Sequence, residues 1–338
     1  MERRHFLSAL GIGAAAAGLA ACGSDSDDAS AGNGASDGDD GAGGGGGVDG
    51  GLITIIVNDP SNPYWKTEGD VASAKAEELG YTTTVGAHTG DTNTENSLVD
   101  TAISNQSVAL IMDPADADGS IGTIKKAIQA DIPVFLVNAE INEAGVAKAQ
   151  LVSNNAQGAA LGAQEWVNRM GEEGKYVELF GLPSDNNAQT RSNGYTTTIS
   201  QYPDLEKLGE EVANWDRTEG HSKAQSLLQA HPDLEGIISG NDEMALGAIA
   251  ALKEAGAFEG IVVGGFDGSP DAVDSIKAGE LAYTVLQPVA EFAVRAIEMA
   301  DDFLRNGTEP EEEKVAFDCI LITEDNVDNI TEPFVYTE

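Results

Sequence analysis

The chain is short of basic residues. Eighteen Lys and Arg stand against 57 Asp and Glu in 338 residues, a formal net charge of −39. Phosphate backbones are held by clustered Lys and Arg, so nucleic acid is excluded as a partner, and an anionic membrane surface would repel the protein. Cysteine is nearly missing: Cys22 and Cys319 are the two present, and no disulfide is assigned. The four histidines, His5, His88, His221 and His231, lack metal-ligand spacing. The acidic run Asp113, Asp116, Asp118 resembles a calcium loop, but Pro114 occupies a required ligand position. We expect no metal, no cofactor and no catalysis. Aromatics are scarce at 6%, with three tryptophans, Trp65, Trp166 and Trp215.

What is abundant is acid. Such an excess over only eleven lysines suits salt-saturated habitats, where a Debye length of about 3 Å at 1 M screens self-repulsion. A halophilic, haloarchaeal source is expected; an ordinary acidic secreted protein is the alternative.

The N-terminus reads as a targeting segment over residues 1–21. Arg3-Arg4-His5-Phe6-Leu7 resembles a twin-arginine export signal, residues 9–21 form a Gly/Ala-rich apolar stretch, and Leu19-Ala20-Ala21-Cys22 resembles a lipoprotein cleavage box. That stretch is too short and too weakly apolar for a comfortable membrane span. The resemblance implies a lipid on Cys22. Residues 22–51 hold little beyond Gly, Ala, Ser and Asp, so they should be a flexible tether of roughly 30 Å. The Gly-rich motif at 45–50 and the elbow-like Gly34-Ala35-Ser36-Asp37-Gly38 both fall in this tether, where neither can build a site.

From residue 52 short β-branched runs alternate with helical stretches, the pattern of a parallel sheet wound with helices. Strands are predicted at 53–57, 81–85, 108–112 and 134–137, then at 176–180, 207–212, 236–239, 261–264 and 281–286. The total is about twice what one doubly wound sheet needs. Trp166 shares a helical face with Ala159, Ala163 and Met170 and reads as core; Cys319, in the apolar run 315–322, reads as a buried thiol.

Polar side chains stand where these apolar runs stop: Asn58, Asn138, Asn241, Asp267 and Gln287. The carboxyl edge of an open parallel sheet is where ligands bind. Neutral amides with a single acid suit hydroxyls better than phosphates or carboxylates, so a small polyhydroxylated ligand is expected.

The blocks Asn58-Asp59-Pro60-Ser61-Asn62-Pro63-Tyr64-Trp65, Asn241-Asp242-Glu243-Met244-Ala245-Leu246-Gly247-Ala248 and Gly265-Phe266-Asp267-Gly268 resemble the ribose/galactose type of periplasmic sugar-binding protein, the solute receptor of ABC importers, over roughly residues 52–325. The resemblance implies the type I fold of that family: two doubly wound parallel-sheet lobes joined by a three-crossing hinge, near 153–155, 285–288 and 314–318. The first lobe would be 52–154 with 287–315, the second 155–286 with 316–338.

By the same resemblance, Tyr64 and Trp65 on one side and Trp215 on the other would stack on the faces of a sugar ring, while strand-end groups bind its hydroxyls. Asn62 is either a ligand contact or the cap of the helix opened by Pro63, and Asn241 has the same two readings. Gln189 and Arg191 fall where the family usually has two arginines, the first binding sugar. Its ribose binders carry Asp-Arg after the fourth strand, where this chain has Asn138-Ala139-Glu140. These departures argue against ribose itself and against anionic ligands; Glu140 reaches a hydroxyl or is a solvated loop acid.

The resemblance therefore implies a monomeric, lipid-anchored, extracytoplasmic receptor that passes a neutral sugar or sugar alcohol to an ABC permease and its ATPase. Signalling to a chemoreceptor is the alternative use of the same fold. A sugar-sensing transcription factor would need a helix-turn-helix where the export signal stands, and a secreted glycan-active enzyme would need a catalytic carboxylate pair.

Overall fold

The computed structural model describes residues 50–338. The export signal, Cys22, the linker to residue 49, the motif at 34–38 and nearly all of that at 45–50 lie outside the described residues.

The first lobe is built from β1 (Leu52–Val57), α1 (Pro63–Glu78), β2 (Thr82–Ala87), α2 (Thr92–Ser104), β3 (Ala109–Met112), α3 (Ile121–Gln129), β4 (Val134–Val137) and β5 (Ala149–Ser153). The second follows with α4 (Asn155–Met170), β6 (Glu173–Phe180), α5 (Asn186–Ile199), β7 (Asp204–Val212), α6 (Arg217–Ala230), β8 (Gly236–Ser239), α7 (Asp242–Glu254), β9 (Val262–Gly264) and α8 (Pro270–Lys277). The chain then runs through β10 (Thr284–Leu286), α9 (Val289–Asn306), β11 (Lys314–Phe317) and β12 (Ile320–Ile322), and ends in a 3-10 turn (Val327–Asn329) and the hairpin β13 (Ile330–Glu332) and β14 (Val335–Tyr336).

Sheet order is β11-β5-β4-β3-β1-β2 in the first lobe and β7-β6-β8-β9 in the second, with every pairing in both parallel. Helices cover both faces of such sheets, which is why β3, β4 and β8 are buried at every position. The chain passes between lobes three times: from β5 to α4, from β10 to α9, which packs on α1, β3, β4 and β5, and from β11 to β12, which pairs antiparallel with β10.

Five strands, β5 and β11 to β14, fall outside the predicted runs. β5 carries Gln150, buried and satisfied by the Ile141 N–H and the Glu313 carboxylate. The run 315–322 is not one strand, because Asp318 and Cys319 divide it between two sheets. Cys319 is buried and unpaired, with its thiol pushed up to about 12 by burial. Trp166 is fully buried, edge-on to Tyr176 at 4.9 Å.

Helix capping sets the sites. Asn62, Asp185, Asp216, Asn241 and Ser269 each accept a first-turn N–H of the helix that follows. Each cap lies just after a strand, so polar side chains collect along the facing carboxyl edges of the two sheets.

Candidate functional site

Between those edges lies a cavity to which both lobes contribute. On the first-lobe side Asn62 Oδ1 accepts the Tyr64 N–H at 2.9 Å, which makes it a helix cap at the cavity wall. The Tyr64 hydroxyl donates to Asn138 Oδ1 at 3.0 Å, and Asn138 Nδ2 donates to Asp113 Oδ2 at 2.9 Å. Burial, then the neighbouring Glu68 carboxylate, drives the Tyr64 phenol well above its ordinary range, so it stays a donor. Asn138 has φ +61°, a left-handed backbone that Asn tolerates better than most residues. Trp65 is 7% exposed and stands edge-on to Tyr64 at 6.3 Å. Its buried Nε1 makes no hydrogen bond, and burial holds the nearby Asp113 carboxyl well above the usual carboxylate range.

The second-lobe side is organised by Arg191, on the buried face of α5. Its Nε donates to Asn155 Oδ1 at 2.7 Å, and Nη1 donates to the Gly240 carbonyl at 2.8 Å and to Asp267 Oδ1 at 3.4 Å. The guanidinium lies 3.9 Å from the Phe266 ring centroid and 5.1 Å from that of Trp215. Asp267 also accepts from Gln287 Nε2 at 2.7 Å. Burial raises the Asp267 pKa to about 7, with Arg191 opposing the rise. Gln287 Oε1 is buried there, an acceptor with no hydrogen-bond partner among the described residues.

Trp215 sits at φ +64° after Asn214 at +49°. Its indole N–H donates to Asp185 at 3.2 Å, and its carbonyl accepts from Asn241 Nδ2 at 3.2 Å. The ring lies over Gly181, where a Cβ would come within 2.1 Å of it. Asn241 Oδ1 caps α7 through the Met244 N–H, so this residue both caps a helix and holds Trp215 at the cavity.

The lobes touch directly. Asn187 Nδ2 donates to the Asn138 carbonyl at 3.3 Å, the Ala117 N–H to the Ser184 carbonyl at 3.0 Å, and Asn186 Nδ2 to Asn142 Oδ1 at 2.8 Å. The free space left in the cavity is about 20 Å³, room for roughly one water. A more open pocket of about 620 Å³ adjoins it and shares Asn62, Trp65 and Trp215.

Most of the residues singled out from sequence meet in this cavity: Asn62, Tyr64, Trp65, Asn138, Arg191, Trp215, Asn241, Asp267 and Gln287. Three do not. Asn58 lines only the outer pocket. Glu140 pairs with Lys314 at 2.5 Å and does not line the cavity. Gln189 is exposed and donates to Asn193; two helix positions turn it about 200° from Arg191, so the two cannot face the same ligand. The acidic run also divides, with Asp113 buried beneath Asn138 while Asp116 Oδ1 accepts the Asp118 and Gly119 N–H groups of its own loop. Sequence reasoning missed Asn155, Asp185 and Asn187, whose cap-like positions at the starts of α4 and α5 were the available signal.

A family model described as periplasmic binding protein domain matches residues 53–309. The chain is 50% identical over 279 residues to a D-apiose import binding protein of Actinobacillus succinogenes, covering 82% of this chain and 90% of that one. It is 46% identical to the D-apiose import binding protein of Paraburkholderia graminis, covering 81% and 88%. A solved ABC transporter periplasmic solute-binding protein of Actinobacillus succinogenes with bound D-allose superposes with a TM-score of 0.77 at 25% identity, covering 82% of this chain and 99% of that one. With its two wound lobes and the cavity between them, this chain belongs to the periplasmic binding protein family.

Proposed function

We propose that the protein is the extracytoplasmic receptor of an ABC importer for a neutral sugar, with D-apiose as its substrate. The substrate reading is carried by the likeness to the two D-apiose import proteins. The chemistry agrees with it. Arg191 is matched by Asp267, so no uncompensated cation awaits an anion, and further acids, Asp113 and Asp185, lie close by. A phosphate or carboxylate would find no unpaired cation here, whereas a hydroxyl finds an acceptor in Gln287 Oε1.

In this reading Trp65 and Tyr64 of the first lobe and Trp215 of the second flank the ring, and the amide and Arg–Asp groups bind its hydroxyls. Closure follows because one ligand touches both lobes, so the closed form binds it better than the open form. Asn138, which ties Tyr64 to Asp113 and accepts from Asn187 of the other lobe, couples ligand contact to closure.

The receptor is held at the membrane through a lipid on Cys22 and acts as a monomer beside its permease and ATPase. Its net charge of −39 supports a high-salt, haloarchaeal setting. Thermal unfolding in molar KCl against D-apiose, ribose, D-allose, xylitol and glycerol tests the assignment. A ligand at 100 times its dissociation constant adds about 2.7 kcal/mol; a selective shift with D-apiose is expected, and a folded sample that responds to none of the panel contradicts the sugar reading.

A further inference from the structure

The family model ends at residue 309, yet the chain beyond it reaches the cavity wall. After β12, Asn326 builds a turn by accepting the Thr323 N–H at 2.8 Å and donating to the Leu321 carbonyl at 2.9 Å. The 3-10 turn then lies on α8 of the second lobe, with Val327 buried and Asp328 3.1 Å from Lys277. The hairpin that follows is closed at its base by Asn329, which donates to the Tyr336 hydroxyl at 3.0 Å and accepts the Thr337 N–H at 2.9 Å.

Among residues 330–338 Phe334 alone is buried, at 2% exposure. Its ring meets that of Tyr64 edge-on, with centroids 5.5 Å apart and planes at 89°, a favourable aromatic geometry. Its φ is +60°. A bulky residue in the left-handed region is strained, and the surrounding structure must hold it there. That backbone sets the ring against Tyr64, which lines the cavity and whose hydroxyl holds Asn138.

We propose that the C-terminal arm is a working part of the binding site, in which Phe334 is a positioning residue that fixes Tyr64 for the sugar while the 3-10 turn anchors the arm to the opposite lobe. The arm adds a link between lobes beyond the three hinge strands. Affinity is then set in part by a segment that never touches ligand.

This rests on the cavity being the sugar site, and the test keeps the two ideas apart. D-apiose is titrated calorimetrically into the wild type, Phe334→Ala, Phe334→Met, Tyr64→Ala and the Tyr64→Ala/Phe334→Ala double variant. Phe334→Ala is expected to weaken binding about five- to tenfold, Phe334→Met to recover to within about twofold, and Phe334→Ala to cost nothing further in the Tyr64→Ala background. Binding by Phe334→Ala equal to wild type, or the same loss with Tyr64 already removed, overturns the proposal. If Phe334→Ala fails to fold, Phe334→Leu takes its place in the cycle. If the wild type does not bind D-apiose, the substrate assignment fails, and hydrogen exchange over residues 64–68 decides for the arm. Faster exchange in Phe334→Ala but not in Phe334→Met sustains it, and unchanged exchange in both overturns it.

Discussion

The two walls of the cavity are built from different chemistry. The first lobe offers rings and amides: Tyr64 and Trp65 stand edge-on to each other, and Asn62 and Asn138 are locked by bonds within their own lobe. The second lobe offers a buried cation, Arg191, gripped by Asn155, the Gly240 carbonyl and Asp267 and flanked by Phe266 and Trp215. The first wall is held by hydrogen bonds among amides, a phenol and the buried Asp113 carboxyl, with no cation among them; the neutral ones are worth roughly 0.5–1.5 kcal/mol each. The second depends on charges that are tolerable when buried only because they are paired. Damage to the second wall should therefore cost more, and in stability as well as affinity.

Arg191→Met is the largest expected effect. It strands a buried Asp267 and leaves Asn155 Oδ1 and the Gly240 carbonyl without their donor, so about 3–5 kcal/mol of stability should be lost and D-apiose binding abolished. Denaturant unfolding and calorimetry measure both; an Arg191→Met protein as stable as wild type removes the claim that this wall is held by charge.

Next come the rings. Trp215→Ala opens a cavity beside Arg191, and Trp65→Ala opens one in the facing wall, each at about 3–5 kcal/mol. If the ligand is sandwiched, each also weakens D-apiose binding by tenfold or more. A Trp215→Ala protein of unchanged affinity disproves the sandwich. Asn138→Ala, which releases the Tyr64 hydroxyl and leaves buried Asp113 unpaired, should cost about 1–3 kcal/mol, read by thermal unfolding.

The same contrast predicts a pH dependence. The folded-state pKa of Asp267 is raised from 3.8 to about 7 by burial, so between those values the folded protein holds more protons than the unfolded chain. Stability of the unliganded protein then falls as pH rises from about 4 to 7. Glu68, Asp113 and Asp242, also raised by burial, act in the same direction. Asp267→Asn should show a shallower slope in unfolding midpoints across that window; an identical slope rules Asp267 out as a contributor. The smallest effect is Gln189→Ala, expected within about 0.5 kcal/mol of wild type, because Gln189 faces solvent.

The strand-end residues were legible because each apolar run of a buried parallel strand stops at the sheet edge, and the next polar side chain must sit there. That rule located Asn138, Asn241, Asp267 and Gln287. It places Asn58 at the end of β1 as well, where that residue lines the outer pocket. On α5 the helical period sets Gln189 toward solvent while Arg191 faces the cavity. Asn155 and Asn187 were invisible for a different reason: Asn155 meets Asn187 and Arg191 only once α4 and α5 are packed side by side. Phe334, at the end of a largely exposed arm, carries no periodic signal at all. Its role depends on a tertiary contact 270 residues away in sequence.

The central claim is that two unlike walls close on an uncharged sugar. Calorimetric titration in molar KCl of D-apiose, set against the aldonic acid made by oxidising it, tests this most directly. One-site binding of D-apiose is expected, with the acid at least about a hundredfold weaker because its carboxylate would be buried with no unpaired cation to receive it. Equal or tighter binding of the acid, or no binding of D-apiose by folded protein, would contradict the account.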